Sequence, residues 1–101
     1  MPYIAQVDFK MTGPFGDEMA NGFSDLAKSI NNEEGFIWKI WTESPETNEA
    51  GGIYLFETKE TAEKYVEMHT KRLASFGITD VNAKIFAVNS KLTEINKGPV
   101  K

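Results

Sequence analysis

Residues 35–56, GFIWKIWTESPETNEAGGIYLF, contain two strand-like segments joined by a polar connection. The first segment, residues 36–43, is rich in the aromatic and β-branched side chains that favour strands. Residues 45–52 are polar and rich in turn formers, and residues 53–56 return to apolar and aromatic side chains. The stretch therefore predicts a β-hairpin at the centre of the chain.

A strand and a helix are predicted before the hairpin. Residues 3–11 alternate between apolar and polar side chains, which is the period of a half-buried strand. After a break at residues 12–16, Asp17 is a suitable N-cap for a helix that Gly35 closes. One face of this helix repeats apolar residues at helical spacing, namely Met19, Phe23, Leu26 and Ile30.

A second helix and a last strand are predicted after the hairpin. Thr58 can cap the helix and Gly77 can end it. The apolar face of this helix consists of Ala62, Tyr65, Val66, His69, Leu73 and Phe76. Residues 81–88 follow as a strand, and residues 89–101 form a polar tail that we expect to be loosely held. The tail has room for one helical turn near residues 92–95.

The complete order is βαββαβ, which is typical of an α+β, ferredoxin-like fold. In this fold two helices cover one face of a four-stranded antiparallel sheet. A chain of 101 residues has room for one such domain, so we expect residues 1–101 to form a single unit.

The other face of the predicted sheet is neither polar throughout nor a core. By alternation it holds Trp41, Phe86 and either Tyr54 or Phe56, among Gln6, Asp8, Lys39 and Lys84. An apolar patch on an open sheet usually marks a partner surface, and a second copy is the commonest partner of a small chain. We therefore expect a homodimer with Trp41 and Phe86 in its interface.

Composition excludes several other classes of function. Fifteen acidic and eleven basic residues give a net charge of −4, and Arg72 is the only arginine, which argues against nucleic-acid binding. The chain has no cysteine and one histidine, His69, so no metal site is expected. No segment approaches the roughly 20 apolar residues of a membrane span, so we expect a cytoplasmic protein without a membrane partner.

Five runs of sequence, spread over nearly the whole chain, carry a further signal. They are Gly13-Pro14-Phe15-Gly16-Asp17, residues 34–44, residues 49–56, His69-Thr70-Lys71-Arg72-Leu73 and Ala83-Lys84-Ile85-Phe86. Together they resemble the YdhR-type monooxygenase family. The resemblance implies a dimeric α/β-barrel, in which two ferredoxin-like sheets pack face to face. It also implies a superfamily that contains cofactor-independent oxygenases of aromatic polyketides and quinols.

Oxygenase chemistry without a cofactor requires an electron-rich substrate, such as a phenol or hydroquinone, whose anion can pass an electron to dioxygen. The protein then supplies an apolar pocket, a group that accepts or orients the phenolic proton, and exclusion of water. His69 is the candidate catalytic residue, since histidine ordinarily titrates at about pH 6.5. The alternative is a packing histidine bonded to a carbonyl.

The remaining site predictions concern aromatic residues. Trp38 shares the alternation of Phe36 and Ile40, so it is expected to face the helices and flank a flat ring. Tyr54 and Tyr65 each offer a phenol to a substrate oxygen, although either ring can equally serve the core. The predicted substrate-binding residues are Trp38, Tyr65, Tyr54, Phe9 and Phe23.

Two other functions remain compatible with the pattern. RNA-recognition modules share the βαββαβ order and stack bases on strand aromatics, but the acidic charge argues against that reading. A dimer that binds or senses a small molecule without catalysis is the stronger alternative, because it needs the same pocket. Turnover is the property that separates it from an oxygenase.

Overall fold

The computed structural model describes residues 1–100; Lys101, the end of the predicted tail and domain, lies outside the described residues. The elements follow the chain in this order: β1 Tyr3–Lys10, α1 Gly16–Gly22, α2 Ser24–Ile30, β2 Phe36–Ser44, β3 Glu49–Phe56, α3 Lys59–Ser75, β4 Asn82–Ala87 and α4 Ser90–Ile95. The hairpin is confirmed, although β3 begins four residues earlier than the sequence predicted.

The strands form one sheet in the order β2-β3-β1-β4, and every neighbouring pair is antiparallel. β1 and β2 are therefore parallel to each other with β3 between them, which is the split βαβ arrangement. α3 contacts β1, β3 and β4. The predicted α+β, ferredoxin-like fold is confirmed.

The core lies between one face of the sheet and the helices. Its buried members are Ala5, Val7, Ile30, Tyr54, Phe56, Ala62 and Tyr65. The odd-numbered residues of β1 point into this core, as their alternation predicted. Tyr54 and Phe56 also face the helices, because they lie opposite Ala5 and Tyr3. The prediction that one of them lies on the open face is therefore wrong.

The first helical segment is divided in two, contrary to the single predicted helix. α1 ends and α2 begins at Phe23, whose backbone leaves helical geometry at φ −107° and ψ 10°. Asp17 is not the N-cap. Phe15 occupies that position, and the backbone N–H of Gly16 donates to the Glu43 carboxylate at 2.8 and 3.1 Å. The Glu43 carboxylate of β2 thus accepts from a free backbone N–H at the start of α1, which was the role expected of Asp17.

α3 begins and ends close to the predicted positions. The Thr58 hydroxyl accepts from the Thr61 N–H at 3.1 Å, and the Thr61 side chain accepts from the Thr58 N–H, which forms a capping box. At the other end Gly77 adopts φ +86°, as a helix-closing glycine often does. Phe76 lies on the same side of the helix as His69 and Leu73, as predicted, but it is 60% exposed at the end of that face.

A bulge in β2 changes which side chains face the helices. Phe36 lies opposite Phe56 and Trp38 lies opposite Leu55, so one extra β2 residue is inserted between them. An inserted residue reverses the side of every position that follows it. Lys39 and Trp41 consequently face the helices with Tyr54, whereas Trp38 and Ile40 lie on the open face. The predicted sides of Trp38, Trp41 and Lys39 are wrong for this reason.

The open face is partly covered by the tail. The indole N–H of Trp38 donates to the carbonyl oxygen of Pro99 at 2.8 Å, and Asn89 caps α4 by accepting from the Leu92 N–H. This anchoring differs from the loose tail that the sequence predicted. Ile40 and Phe86 stay about half exposed on the same face, as expected for Phe86. Within residues 1–100, no helix is long and apolar enough to cross a membrane.

Candidate active site

A cavity of about 260 Å³ lies between the helix-facing side of the sheet and the helices. Its walls come from every layer: Phe9 from β1, Phe23 between α1 and α2, Lys39 and Trp41 from β2, Tyr54 from β3, and His69 and Leu73 from α3. A dry cavity of roughly 150 Å³ is enough to hold benzene, so this one has room for a small aromatic compound.

The aromatic rings of β3 and α3 form one packed group at the cavity wall. Tyr54 and Tyr65 have ring centroids 4.9 Å apart, and Tyr65 stacks on His69 at 5.1 Å with an interplanar angle of 22°. All three side chains are buried. The Tyr65 hydroxyl donates to the Tyr54 hydroxyl at 3.4 Å. The wall is therefore rigid and apolar, with hydroxyl groups at defined positions.

Arg72 fixes the protonation pattern of this wall. Its guanidinium contacts His69 Nδ1 through Nη2 at 2.9 Å and through Nε at 3.3 Å, and it donates from Nη2 to the Tyr65 hydroxyl at 3.3 Å. Arginine has donors only, so Nδ1 must accept. Neutral His69 then carries its proton on Nε2. The imidazole is a hydrogen-bond donor at Nε2 rather than a free base.

Burial sets the charge state of the same group. Desolvation, with the nearby charges of Arg72 and Lys39, lowers the pKa of His69 from 6.5 to about 3. Desolvation raises the pKa values of Tyr54 and Tyr65 above the usual 10. At neutral pH the histidine and both phenols are therefore uncharged. The wall offers hydrogen bonds to a ligand but no negative charge.

Lys39, like Trp41, is a cavity residue that the sequence reasoning assigned to the wrong face. Its Nζ lies 3.2 Å from the centroid of the Trp41 ring and 4.5 Å from that of Tyr54. Desolvation, followed by repulsion from Arg72, lowers the pKa of Lys39 from 10.5 to about 7. This side chain can therefore be either an amine or an ammonium near neutral pH.

Four predicted residues are brought together at the cavity: His69, Tyr54, Phe9 and Phe23. Tyr65 stands behind Tyr54 and His69 and bonds to Tyr54. Trp38 lies on the opposite side of the sheet, outside this cavity. Sequence reasoning also missed Arg72, although its position gave a signal. It follows Tyr65 by seven residues and His69 by three, which places all three on one face of a helix.

Phe23 and Trp41 separate this cavity from a second one. Their rings stack with centroids 6.0 Å apart and an interplanar angle of 18°. The second cavity, of about 360 Å³, lies between α1, α2 and β2, and both rings also line it. The stacked pair is thus the partition between an inner cavity with polar groups and an outer groove at the surface.

Fold and cavity together define a small ferredoxin-like protein with an aromatic pocket between its sheet and its helices. The sequence profile of the family described as "Putative mono-oxygenase ydhR" matches residues 4–99. The chain belongs to this family, as the resemblance of its motifs predicted. No curated protein matches the chain by sequence.

Solved structures of several oxygenases are similar in fold. A putative antibiotic biosynthesis monooxygenase from Deinococcus radiodurans is 10% identical, with a TM-score of 0.62 over 86% of this chain and 92% of that one. SnoaB, a cofactor-independent oxygenase from Streptomyces nogalater, is 12% identical, with a TM-score of 0.57 over 86% and 93%. The ActVA-Orf6 monooxygenase of Streptomyces coelicolor, solved with nanaomycin D, is 16% identical, with a TM-score of 0.59 over 86% and 87%. At these identities the likeness concerns the fold.

Proposed function

We propose that this protein is a cofactor-independent monooxygenase that oxidises a hydroxylated aromatic or quinol-type small molecule in the inner cavity. The observation behind the proposal is the cavity itself, with carbon side chains on most of its surface and Tyr54, His69 and Lys39 on one edge. A flat phenolic compound needs such an arrangement, with apolar contact for its ring and polar contact for its oxygen. Membership of a monooxygenase family supports the reaction class.

The proposed reaction balances without an external reductant. A phenol with hydrogen at its para carbon reacts with one dioxygen to give a quinone and one water. One oxygen atom becomes the new carbonyl, and the other leaves as water with the two hydrogens lost by the substrate. The substrate supplies all four electrons that reduce dioxygen. The description of SnoaB as cofactor-independent supports assigning this type of reaction to the same fold.

In this proposal each side chain at the cavity has a separate role. His69, held by Arg72, donates from Nε2 to the phenolic oxygen and thereby positions it. The Tyr54 hydroxyl is a second donor, since burial keeps it protonated. Phe9 and Phe23 contact the substrate ring. Donors aimed at the oxygen stabilise the aryloxide anion, which is the form that reacts with dioxygen.

Oxygen uptake tests the proposed reaction. Chelator-treated protein is mixed with a panel of hydroquinones, anthrones and catechols, and products made under labelled dioxygen are analysed by mass spectrometry. From the compounds with hydrogen para to a hydroxyl group, namely the catechols and the enol form of the anthrones, we expect one labelled oxygen per product, at a rate above autoxidation that falls at least tenfold in Phe23→Ala. Ile95→Ala, which truncates an exposed apolar side chain of α4 outside the cavity, is the control and should keep full activity. Binding of these compounds with uptake no greater than autoxidation would instead establish the non-catalytic binding protein.

We also propose that the protein is a homodimer closed through the open faces of two sheets. Ile40 and Phe86 are 53% and 50% exposed on that face, where a monomer would favour polar side chains. Light scattering after size exclusion should give twice the 11.3 kDa of one chain. Phe86→Asp should release the monomer. Phe76→Asp, which places the same charge on the helix side, should leave the dimer intact.

A further inference from the structure

Lys39 occupies an unusual place for a lysine. The bulge in β2 turns it toward the helices, where its Nζ lies over the rings of Trp41 and Tyr54 and faces the cavity. Within residues 1–100, the ion pairs are Lys64–Glu34 and Lys71–Glu67, both on the exposed surface. Lys39 therefore has aromatic neighbours but no carboxylate partner. Lys39 is half-buried against these rings, and lysines withdrawn from water are normally paired, so this placement needs an explanation.

Gly52 on the neighbouring strand provides the space for the Lys39 stem. A Cβ at Gly52 would lie 2.5 Å from Cε of Lys39 and 3.2 Å from Cε1 of Tyr54. Real Cβ atoms do not approach other carbons that closely, so any larger residue would displace the lysine. Gly52 has an ordinary strand position opposite Val7 and Trp41, and no turn explains the glycine. The lysine therefore lies in a slot formed by Gly52 and the Tyr54 ring.

The other polar groups at the cavity are poor proton acceptors. His69 uses Nδ1 to accept from Arg72 and presents Nε2–H. The Tyr54 hydroxyl already accepts from Tyr65 and has its own proton to donate. Among the described residues that line the cavity there is no aspartate or glutamate. By elimination, the amine nitrogen of Lys39 is the cavity group whose lone pair can accept a proton from a bound ligand.

Charges around Lys39 favour an anion beside it. α3 presents His69, Tyr65 and the positive guanidinium of Arg72, and β3 presents Tyr54. On its own strand, the Glu43 carboxylate is bonded to the Gly16 N–H. The remaining lining from β1, α1 and α2 is apolar. The field in the cavity is therefore positive, and it stabilises an aryloxide more than a neutral phenol.

We propose that Lys39 is the catalytic residue that takes the phenolic proton of the bound substrate, while His69 acts as a positioning donor. This inference rests on the proposed function and names its proton acceptor. The amine lone pair forms an N–H bond as the substrate O–H bond breaks, and the bonding electrons stay on oxygen. The product is an ammonium–aryloxide pair with no net change in charge. The aryloxide is then ready to react with dioxygen.

Binding of 4-nitrophenol tests this step, because its ionised form has its own visible absorption band. Wild-type protein, Lys39→Met, Lys39→Arg and the control Lys71→Met, on the exposed surface of α3, are titrated with the probe between pH 5 and 9. We expect wild type and Lys71→Met to bind the ionised form and to lower the probe's apparent pKa by at least one unit. Lys39→Met should lose that shift and bind the ionised form at least tenfold more weakly. Lys39→Arg should bind the anion but lose oxygen uptake, since it cannot accept a proton.

The outcomes separate this inference from the proposed function. If Lys39→Met still ionises the bound probe, or retains full oxygen uptake, Lys39 is not the acceptor even though the oxygenase proposal stands. If wild type binds neither the probe nor the hydroquinone panel in this cavity, both proposals fall. Circular dichroism of each variant checks the fold. Should Lys39→Met unfold, Gly52→Ala displaces the amine without removing it and should weaken the ionisation in the same direction.

Discussion

Two walls of the same cavity hold basic side chains in opposite ways. On α3, His69 is bonded to Arg72, stacked on Tyr65 and fixed in one tautomer. On β2, Lys39 lies over aromatic rings and forms no ion pair within residues 1–100. The polar groups on α3 form hydrogen bonds with one another, whereas the Lys39 amine on β2 keeps a lone pair with which a ligand can interact. A basic residue at a cavity is therefore not equivalent to a base, because its partners decide whether it can accept a proton.

The contrast arises from how each element places its side chains. α3 is regular, so Tyr65, His69 and Arg72 recur on one face and can bond to one another along the helix. β2 contains a bulge, which turns Lys39 toward the helices, where none of the described residues that line the cavity is acidic. Five substitutions test this contrast between the two walls.

Lys39→Met should have the largest effect on stability. The pKa of Lys39 falls from 10.5 to about 7 on folding, so the unfolded state binds more protons between these pH values. The free energy of unfolding of the wild type therefore rises with pH across this window, and the full cost of the buried ammonium applies below pH 7. Lys39→Met should be more stable than wild type by at most about 5 kcal/mol below pH 7.

Urea unfolding at pH 6, 8 and 9.5 measures this difference. The gap between Lys39→Met and wild type should narrow as the pH rises, because the wild-type lysine loses its charge. Lys71→Met, on the exposed surface of α3, should differ little from wild type at any pH. A gap that stays constant from pH 6 to 9.5 would show that Lys39 is solvated, and the contrast between the walls would be lost.

Arg72→Met should have the next largest effect, and of opposite sign. It removes the donor to His69 Nδ1 and to the Tyr65 hydroxyl, which are both buried. The Tyr65 hydroxyl keeps its hydrogen bond to Tyr54, but His69 Nδ1 is left without a donor. A buried group left without a partner costs about 1–3 kcal/mol, so we expect a loss of that size in thermal or urea unfolding. Lys71→Met, on the exposed neighbour, is the control and should change stability by less than about 0.5 kcal/mol. Equal effects of the two variants would show that the α3 network is not structural.

The sequence predicted the α3 wall better than the β2 wall. Helical periodicity placed Tyr65 and His69 on the buried face, and the Thr58 cap and Gly77 end agreed with the structure. Strand alternation likewise placed the core side of β1 correctly. These signals are local and regular, so periodicity is sufficient to read them.

Irregularities in the backbone explain what the sequence did not predict. The bulge after Phe36 has no signature in the residue types, yet it moved Trp38 to the open face and Lys39 and Trp41 to the cavity. The division of the helix at Phe23 likewise has no signature in the sequence, because the apolar spacing continues across it. The tail was expected to be loose because it is polar, and its bond to Trp38 depends on that same bulge.

Gly52→Ala should have an effect on stability between those of Arg72→Met and Trp38→Phe. The added methyl would meet Cε of Lys39 and also Cε1 of Tyr54 and the carbonyl oxygen of Ile40, so the lysine or the strand must shift. Overpacking of this kind costs about 1–3 kcal/mol. Gly22→Ala, where a Cβ meets nothing within 4 Å, is the matched control and should be neutral or slightly stabilising. If both alanines behave alike, the slot does not constrain Lys39.

Trp38→Phe should have the smallest effect, and it separates the two faces of β2. The variant keeps a large ring but loses the 2.8 Å bond to the Pro99 carbonyl, which is worth about 1 kcal/mol. We expect a loss of that size in the free energy of unfolding and faster amide exchange in α4. Binding of 4-nitrophenol should be unchanged, because Trp38 lies outside the cavity.

Trp41→Phe provides the opposite test, since Trp41 lies beneath Nζ of Lys39 and stacks on Phe23. It should leave exchange in α4 unaltered and weaken binding of the probe. A loss of probe binding in Trp38→Phe, with none in Trp41→Phe, would mean that the ligand binds on the open face of the sheet and not between the sheet and the helices.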